Sequence, residues 1–140
     1  MGNRAVISFS TNPSAPSIYL HWNGGRASVE GFLGGCLDAG YRCTNDEQAD
    51  MDQIERAIRP FFASNGGCLS IYTQQLYRAD KDNWDNGWYV IDETNLQIVE
   101  RRFRRVADEV NLSKTEAIRA EIHHLATKPA CRYEHLWEAA

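Results

Sequence analysis

The feature that most constrains the fold is a pair of strand-like runs ahead of any helix-like pattern. Residues 4–10 (RAVISFS) and 17–22 (SIYLHW) are rich in β-branched and aromatic residues, which predicts two β-strands. The intervening TNPSAP contains Pro13 and Pro16, which lack a backbone donor and favour a loop. Two strands joined by a short loop predict an antiparallel hairpin.

Two helices are predicted next. Over residues 28–38, apolar side chains recur on one helical face, with Ser28 as the expected N-cap: Val29, Phe32, Leu33, Cys36 and Leu37. Three glycines in this helix, Gly31, Gly34 and Gly35, predict close packing against another element. A second helix is predicted over residues 47–64, with a kink or a break near residue 59 because Pro60 lies inside it.

The second half of the chain predicts three more strands and a last helix. The strands are residues 68–73, 88–92 and 96–100, of which the last two form a second hairpin. The last helix begins near residue 114, where SKTE resembles a capping box led by Ser113. Residues 101–110 are compatible with strand or helix.

The order β-β-α-α-β-β-β-α predicts an α+β fold with a mainly antiparallel sheet of about five strands and helices on one face. A doubly wound parallel sheet would need regular β-α alternation, which this order lacks. With 140 residues, 43% of them hydrophobic, the chain is expected to form a single domain over 1–140. Residues 104–140 are expected to form a helical C-terminal extension packed on it.

Composition narrows the functional classes. The net charge of −4 disfavours a protein whose whole surface binds nucleic acid. No apolar run approaches the roughly 18 residues of a membrane span, and the first ten residues lack a signal-peptide core. The four cysteines form no C-x-x-C pair and are expected to be free thiols. We therefore expect a cytoplasmic protein without membrane association.

The HWNGG turn, residues 21–25, is a candidate ligand loop. A glycine loop that leads into a helix can offer backbone N–H groups to a phosphate or carboxylate, which predicts a loop formed by His21, Asn23, Gly24, Gly25 and Arg26. Neither G-x-x-x-x-G-K-[ST] nor G-x-G-x-x-G is present. The alternative is a tight turn whose glycines adopt positive φ.

His21 is also a candidate general base for a small enzyme or a nucleotide-binding protein. Its proposed partner is Asp85, which requires the HWNGG turn and the DNG turn (residues 85–87) to lie side by side. The alternative is that His21 only lines one face of a strand. No catalytic residue is assigned from the sequence.

Two groups of possible metal ligands lack the spacing of known calcium and zinc sites. DKDNWDNG, residues 80–87, resembles a calcium loop, but the third ligand position would be Trp84, so a turn held by side-chain hydrogen bonds is the better interpretation. A zinc site would use His123, His124, Cys131 and His135, which lack finger spacing. The sequence therefore predicts no metal and no cofactor.

Charge patterning gives two candidate partner-binding surfaces. One is acidic: Asp46, Glu47, Asp50, Asp52 and Glu55. The other, called the arginine cluster below, consists of Arg101, Arg102, Arg104 and Arg105. Trp84 and Trp88 could anchor an interface as exposed aromatic residues. The alternative is two solvated faces, which could also pair with each other.

Four segments in order carry a family resemblance: GNRAVISFS, IYLHWNGGRASVEGFL, FFASNGGCLSIY and DNWDNGWYVID…QIVERRF. They resemble a family of short uncharacterised proteins from bacterial mobile elements, such as prophages, plasmids and integrative elements, which carry HWNGG and DNGxY motifs. The resemblance covers roughly residues 2–103 and implies no established activity. It implies a setting in which small proteins often inhibit host defence, as anti-CRISPR proteins do.

These observations together predict a non-enzymatic mobile-element accessory protein that binds a macromolecular partner. A host protein or ribonucleoprotein complex is the expected partner. The alternatives are a small enzyme or nucleotide-binding protein that uses the His21–Arg26 loop with Asp85, and a nucleic-acid binder that uses the arginine cluster.

Overall fold

A computed structural model describes residues 3–65, 70–108 and 110–127. Within these ranges the chain forms five strands, three α-helices and a short 3-10 helix. In chain order they are β1 (Ala5–Ser8), β2 (Pro16–Leu20), α1 (Arg26–Asp38), α2 (Glu47–Ser64), β3 (Ile71–Gln75), the 3-10 helix (Leu76–Arg78), β4 (Trp88–Ile91), β5 (Ile98–Arg102) and α3 (Leu112–Thr127). The predicted order and the α+β class are confirmed.

The five strands form one sheet in the order β3-β2-β1-β4-β5. β1 pairs antiparallel with β2, β2 with β3, and β4 with β5. The central pair, β1 with β4, is parallel, and the chain reaches β4 by a crossover from β3, which lies on the far side of β2 and β1. The mainly antiparallel sheet and both predicted hairpins are confirmed.

All three helices pack on one face of the sheet, as predicted. Alternation along β1 places Ala5 and Ile7 in the main core with the apolar faces of the helices, while Val6 points to the opposite face. That opposite face has a smaller buried cluster, in which Leu76 and Ala79 cover the sheet. The sheet therefore has a helical side and a side covered partly by the segment after β3.

Glycines bring α1 and α3 into close contact. A Cβ on Gly31 would lie 2.8 Å from Cβ of Ile118, and a Cβ on Gly35 would lie 2.4 Å from Cβ of Ile122. The close packing predicted for these glycines is confirmed. The region 104–140 thus contributes a helix to the core, while residues 128–140 lie outside the described part, so the extent of the extension stays a prediction.

Two predicted helix caps are wrong. α1 begins at Arg26 with Gly25 at the cap, and Ser28 lies inside the helix with a buried hydroxyl that has no hydrogen-bond partner in the described part of the chain. α3 begins at Leu112, where Oδ1 of Asn111 accepts from the N–H of Lys114 at 3.0 Å. The cap is therefore Asn111, an equally good capping residue two positions before the predicted Ser113.

Pro60 does not break α2, which continues to Ser64. Phe61 and Phe62, directly after the proline, are buried, and their rings lie 5.0 and 5.5 Å from the ring of Phe32. Core packing of these two rings holds the last turn in place although the proline removes one helical hydrogen bond.

Strand ends differ from the predicted ones by a few residues. β2 ends at Leu20, so His21 and Trp22 belong to the following turn, and β5 extends to Arg102. Residues 68 and 69 of the third predicted strand lie outside the described part. Among the described residues, no helix combines the length and the apolar character needed to cross a membrane.

Candidate functional site

The HWNGG and DNG turns meet at the residues that lead into β1. The N–H of Asn3 donates to the carbonyl of His21, and its own carbonyl accepts from the N–H of Gly24 at 2.8 Å. On the other side, the side-chain amide of Asn86 donates to Oδ1 of Asn3. Both turns therefore lie at one end of the sheet, with residue 3 between them.

Close packing, and not positive φ, explains the glycine in this corner. The left-handed residue is Asn23, with φ of 57°, whereas neither Gly24 nor Gly25 has a positive φ. A Cβ on Gly24 would lie 2.5 Å from the carbonyl oxygen of Asn3. The interpretation of these glycines as positive-φ residues is wrong, because Asn tolerates this conformation and Gly24 is needed for the close approach.

The geometry does not favour an anion site in this loop. The N–H of Gly24 already donates to Asn3, and the hydroxyl of Tyr89 donates to the Gly24 carbonyl at 2.7 Å. The guanidinium of Arg26 binds the carboxylates of Glu30 at 2.7 Å and Asp108 at 3.4 Å. Two of the groups proposed for a phosphate, the N–H of Gly24 and the guanidinium of Arg26, are thus engaged within the protein.

His21 and Asp85 have different partners. Nδ1 of His21 lies 2.9 Å from the hydroxyl of Tyr19, while Asp85 accepts from Nε of Arg4 at 2.8 Å and from its backbone N–H at 3.1 Å. Burial by itself would raise the pKa of Asp85, but the hydrogen bonds and charge of Arg4 outweigh it and lower that pKa. No His21–Asp85 hydrogen bond exists among the described residues.

Asn83 organises the DKDNWDNG turn. Its buried side chain accepts from the N–H groups of Asp85 and Gly87 and donates to the carbonyls of Asp80 and Gly87. This is the side-chain-bonded turn that we expected in place of a calcium loop. Of the zinc ligands considered, His123 and His124 lie on α3, whereas Cys131 and His135 fall outside the described residues.

Every member of the arginine cluster has an acidic partner within the chain. Arg101 and Arg104 bind Asp108 at 2.5 and 3.5 Å. Arg102 binds Glu100 at 2.9 Å, and Arg105 makes a two-point contact with Asp82 at 3.0 and 3.1 Å. The arginines therefore do not pair with the acidic segment 46–55, and their charge is largely neutralised locally.

Arg101 is only partly exposed and makes several contacts within the protein. Its guanidinium lies 3.8 Å from the ring centroid of Tyr89 and donates to the carbonyl of Asn86 at 2.9 Å. The β4–β5 register pairs it with Tyr89 over the edge of the core, and its role in binding a partner stays a prediction.

The two candidate tryptophans differ in exposure. Trp88 is only 4% exposed, and its indole N–H donates to the hydroxyl of Ser8 at 2.8 Å, so its prediction as a surface anchor is wrong. Trp84 is 69% exposed, with the guanidinium of Arg105 lying 4.8 Å from its ring centroid. Trp84 thus remains available to a partner at the end of the sheet where β1 begins.

The acidic segment divides into exposed and buried groups. Asp46 caps α2 by accepting from the N–H of Ala49, Asp52 accepts from Gln48, and Glu55 pairs with Arg59. Glu47 accepts a hydrogen bond of 3.5 Å from the hydroxyl of Ser10, at the end of β1 opposite Trp84. These four carboxylates stay at the protein surface.

Asp50, the fifth acid, is completely buried, so its prediction as a surface group is wrong. Its Oδ1 accepts from the N–H and hydroxyl of Thr44 and from the amide of Gln53. Burial would raise the pKa of Asp50, but hydrogen bonds from Glu93, Thr44 and Cys43 outweigh it and lower that pKa. Its position on the inner face of α2 decides this role.

A constellation that the sequence did not reveal joins Cys43, Asp50 and Glu93. One ligand atom of each lies within 4.8 Å of the other two. Oε2 of Glu93 is inaccessible to solvent, and among the described residues no group donates a hydrogen bond to it. Glu93 and Asp50 can share a hydrogen bond only if Glu93 is protonated and donates to Asp50. That hydrogen bond, burial and the charge of Asp50 raise the pKa of Glu93 to about 7. Only the approach of the β4–β5 turn to α2 creates this cluster.

No protein-family model, no curated protein and no solved structure matches this chain. The mobile-element resemblance therefore stays a hypothesis, and the function is argued from the geometry.

Proposed function

We propose that this protein acts in the cytoplasm by binding a macromolecular partner through the acidic surface of α2, defined as Asp46, Glu47 and Asp52. The observation that carries this proposal is the unequal neutralisation of the two charged regions. Among the residues described, none of these three carboxylates forms an ion pair, whereas every member of the arginine cluster does. Uncompensated charge is what a complementary surface can attract.

The partner class follows from the sign of the charge. An acidic surface of this kind is complementary to a basic groove, such as the one with which a protein or ribonucleoprotein complex holds nucleic acid. The mobile-element resemblance makes a host defence complex the specific candidate, with this protein as its anti-CRISPR-like inhibitor. Direct nucleic-acid binding has less support, because Asp82, Glu100 and Asp108 occupy the arginines.

The small-enzyme alternative also has less support. The His21–Asp85 arrangement on which it depends is replaced by contacts of these residues with Tyr19 and Arg4. A partner-binding role needs no such arrangement.

The experiment reverses the charge of the surface without disturbing the fold. In the double variant Glu47→Lys/Asp52→Lys, Asp46 is retained because it caps α2, and Asp50 is retained because it is buried. The matched control is Glu116→Lys, which reverses one exposed charge on α3. Tagged proteins are used to capture partners from bacterial lysate, and each captured protein is quantified by mass spectrometry.

We expect the double variant to lose at least about tenfold of the affinity for the captured partner, with the control unchanged. Circular dichroism checks that both variants are folded. Equal capture by the folded double variant and the wild type would exclude this surface.

A further inference from the structure

The contact between Asp50 and Glu93 places two carboxylates together with no basic group to balance them. Neither carboxylate forms an ion pair with a Lys, Arg or His among the residues described. Asp50 is fully buried, and Oε2 of Glu93 is shielded from water and receives no hydrogen bond from the described residues. A buried carboxylate oxygen without a partner is costly, so a cation is required between the two groups.

The cation can be a proton or a metal ion, and the third member of the cluster favours a metal. Sγ of Cys43 converges on the same point as the two carboxylates, from the segment between α1 and α2. A thiolate is a soft ligand that binds zinc-like ions and has little affinity for magnesium or calcium. With a shared proton the sulfur would only donate weak hydrogen bonds, to Asp50 and to Oδ1 of Asn45 at 3.6 Å, whereas with a metal ion it becomes a ligand.

We propose that Cys43, Asp50 and Glu93 form a binding site for a divalent cation of the zinc class, with one sulfur and two carboxylate ligands. Tetrahedral zinc holds such ligand atoms roughly 3.5 Å apart, so atoms now within 4.8 Å of one another need to close by about 1 Å. Cys43 and Glu93 are partly exposed side chains in loops, which can supply that movement.

Asp50 is the preorganised ligand of this site. Its Oδ1 takes three hydrogen bonds from Thr44 and Gln53, which fix the carboxylate, while Oδ2 accepts from the N–H of Thr44 at 3.0 Å. An ion bound to Asp50 would replace the hydrogen bonds that Glu93 and Cys43 donate to it and would keep those from Thr44 and Gln53. A bound ion would join α2, the segment before it and the β4–β5 turn, and its fourth position would be open to water or to another ligand.

The test uses cobalt(II) as a spectroscopic substitute for zinc. The full chain, treated with a chelator and reduced, is titrated with cobalt(II). We expect one ion per chain, an absorption band from sulfur-to-cobalt charge transfer, and loss of that band when zinc is added. Cys43→Ser should abolish the band. Glu93→Gln should weaken binding by at least about 10- to 100-fold, the loss typical even of residues that only support a ligand.

Glu93→Gln is expected to keep the fold, since its amide can still donate to Asp50 as a protonated Glu93 would. A loss of cobalt binding in this variant can therefore be attributed to the lost ligand. Cys131→Ser is the matched thiol control and should bind cobalt as the wild type does. The proposal is overturned if no ion binds, if the band survives Cys43→Ser, or if Glu93→Gln binds with wild-type affinity. In the first case a shared proton alone balances the two carboxylates.

Discussion

Gly35 of α1 and Ile122 of α3 lie so close that a Cβ on Gly35 would be 2.4 Å from Cβ of Ile122. We predict that Gly35→Ala lowers the free energy of unfolding by about 1–3 kcal/mol, because overpacking outweighs the gain of up to about 1 kcal/mol in helix propensity. Urea denaturation measures this. Gly34→Ala is the control, since it faces the flexible end of Arg119 and should change stability little. Equal effects of both would contradict close packing as the reason for Gly35.

Asp50 holds the segment before α2 through its bonds to Thr44. We expect Asp50→Ala to destabilise the protein by about 1–3 kcal/mol or more, since it leaves a backbone N–H and a hydroxyl without an acceptor. Asp52→Ala, on the same helix, should stay within about 0.5 kcal/mol of the wild type. Chemical denaturation measures the free energy of unfolding of both variants. Equal values would show that the buried hydrogen bonds of Asp50 add no net stability.

Arg101 should act through its shape as well as its charge. Arg101→Lys keeps the charge, but a lysine cannot both stack on Tyr89 and bind Asp108 and Asn86. We therefore expect the free energy of unfolding to fall by about 1–3 kcal/mol. Arg104→Lys should have an effect close to zero, because an exposed ion pair contributes little. Thermal and urea unfolding report both values. A neutral Arg101→Lys would mean that this arginine is not structural.

Asp108 should make the protein sensitive to acid. Burial alone would raise the pKa of Asp108, but the contacts with Arg101, Arg104 and Arg26 outweigh it and lower that pKa below the unfolded value of about 3.9. Its contribution to stability is therefore complete above the unfolded pKa and is lost as the pH falls through the folded one.

Consequently, the stability of Asp108→Asn should depend less steeply on pH than that of the wild type between about pH 5 and pH 2. Urea denaturation over a series of pH values gives the two slopes. Glu116→Gln, which removes an exposed carboxylate on α3, should keep the wild-type slope. Parallel curves for Asp108→Asn and the wild type would show that Asp108 is not the acid-sensitive group.

Local patterns in the sequence were sufficient for the fold class. Alternation and helical periodicity depend on neighbouring residues, so they located five strands and three helices to within a few residues. The spacing of glycines in α1 also predicted close packing of this helix against another element. A glycine has no side chain to hold a neighbour away, so this prediction does not depend on which element the neighbour is. Helix caps were less certain, since Asn111 and Ser113 are both good capping residues and only the backbone geometry distinguishes them.

Only the tertiary structure decided what the charged and aromatic residues do. Asp50 and Asp52 look alike in sequence, yet one is buried and the other remains near the surface, because they face opposite sides of α2. Asp108 reaches Arg101 and Arg26 only when β5 and α1 are in place, and Glu93 reaches Asp50 only when the β4–β5 turn meets α2. The sequence by itself thus determined the elements and their order. Burial and long-range ion pairing, which depend on residues distant in the chain, required the folded protein.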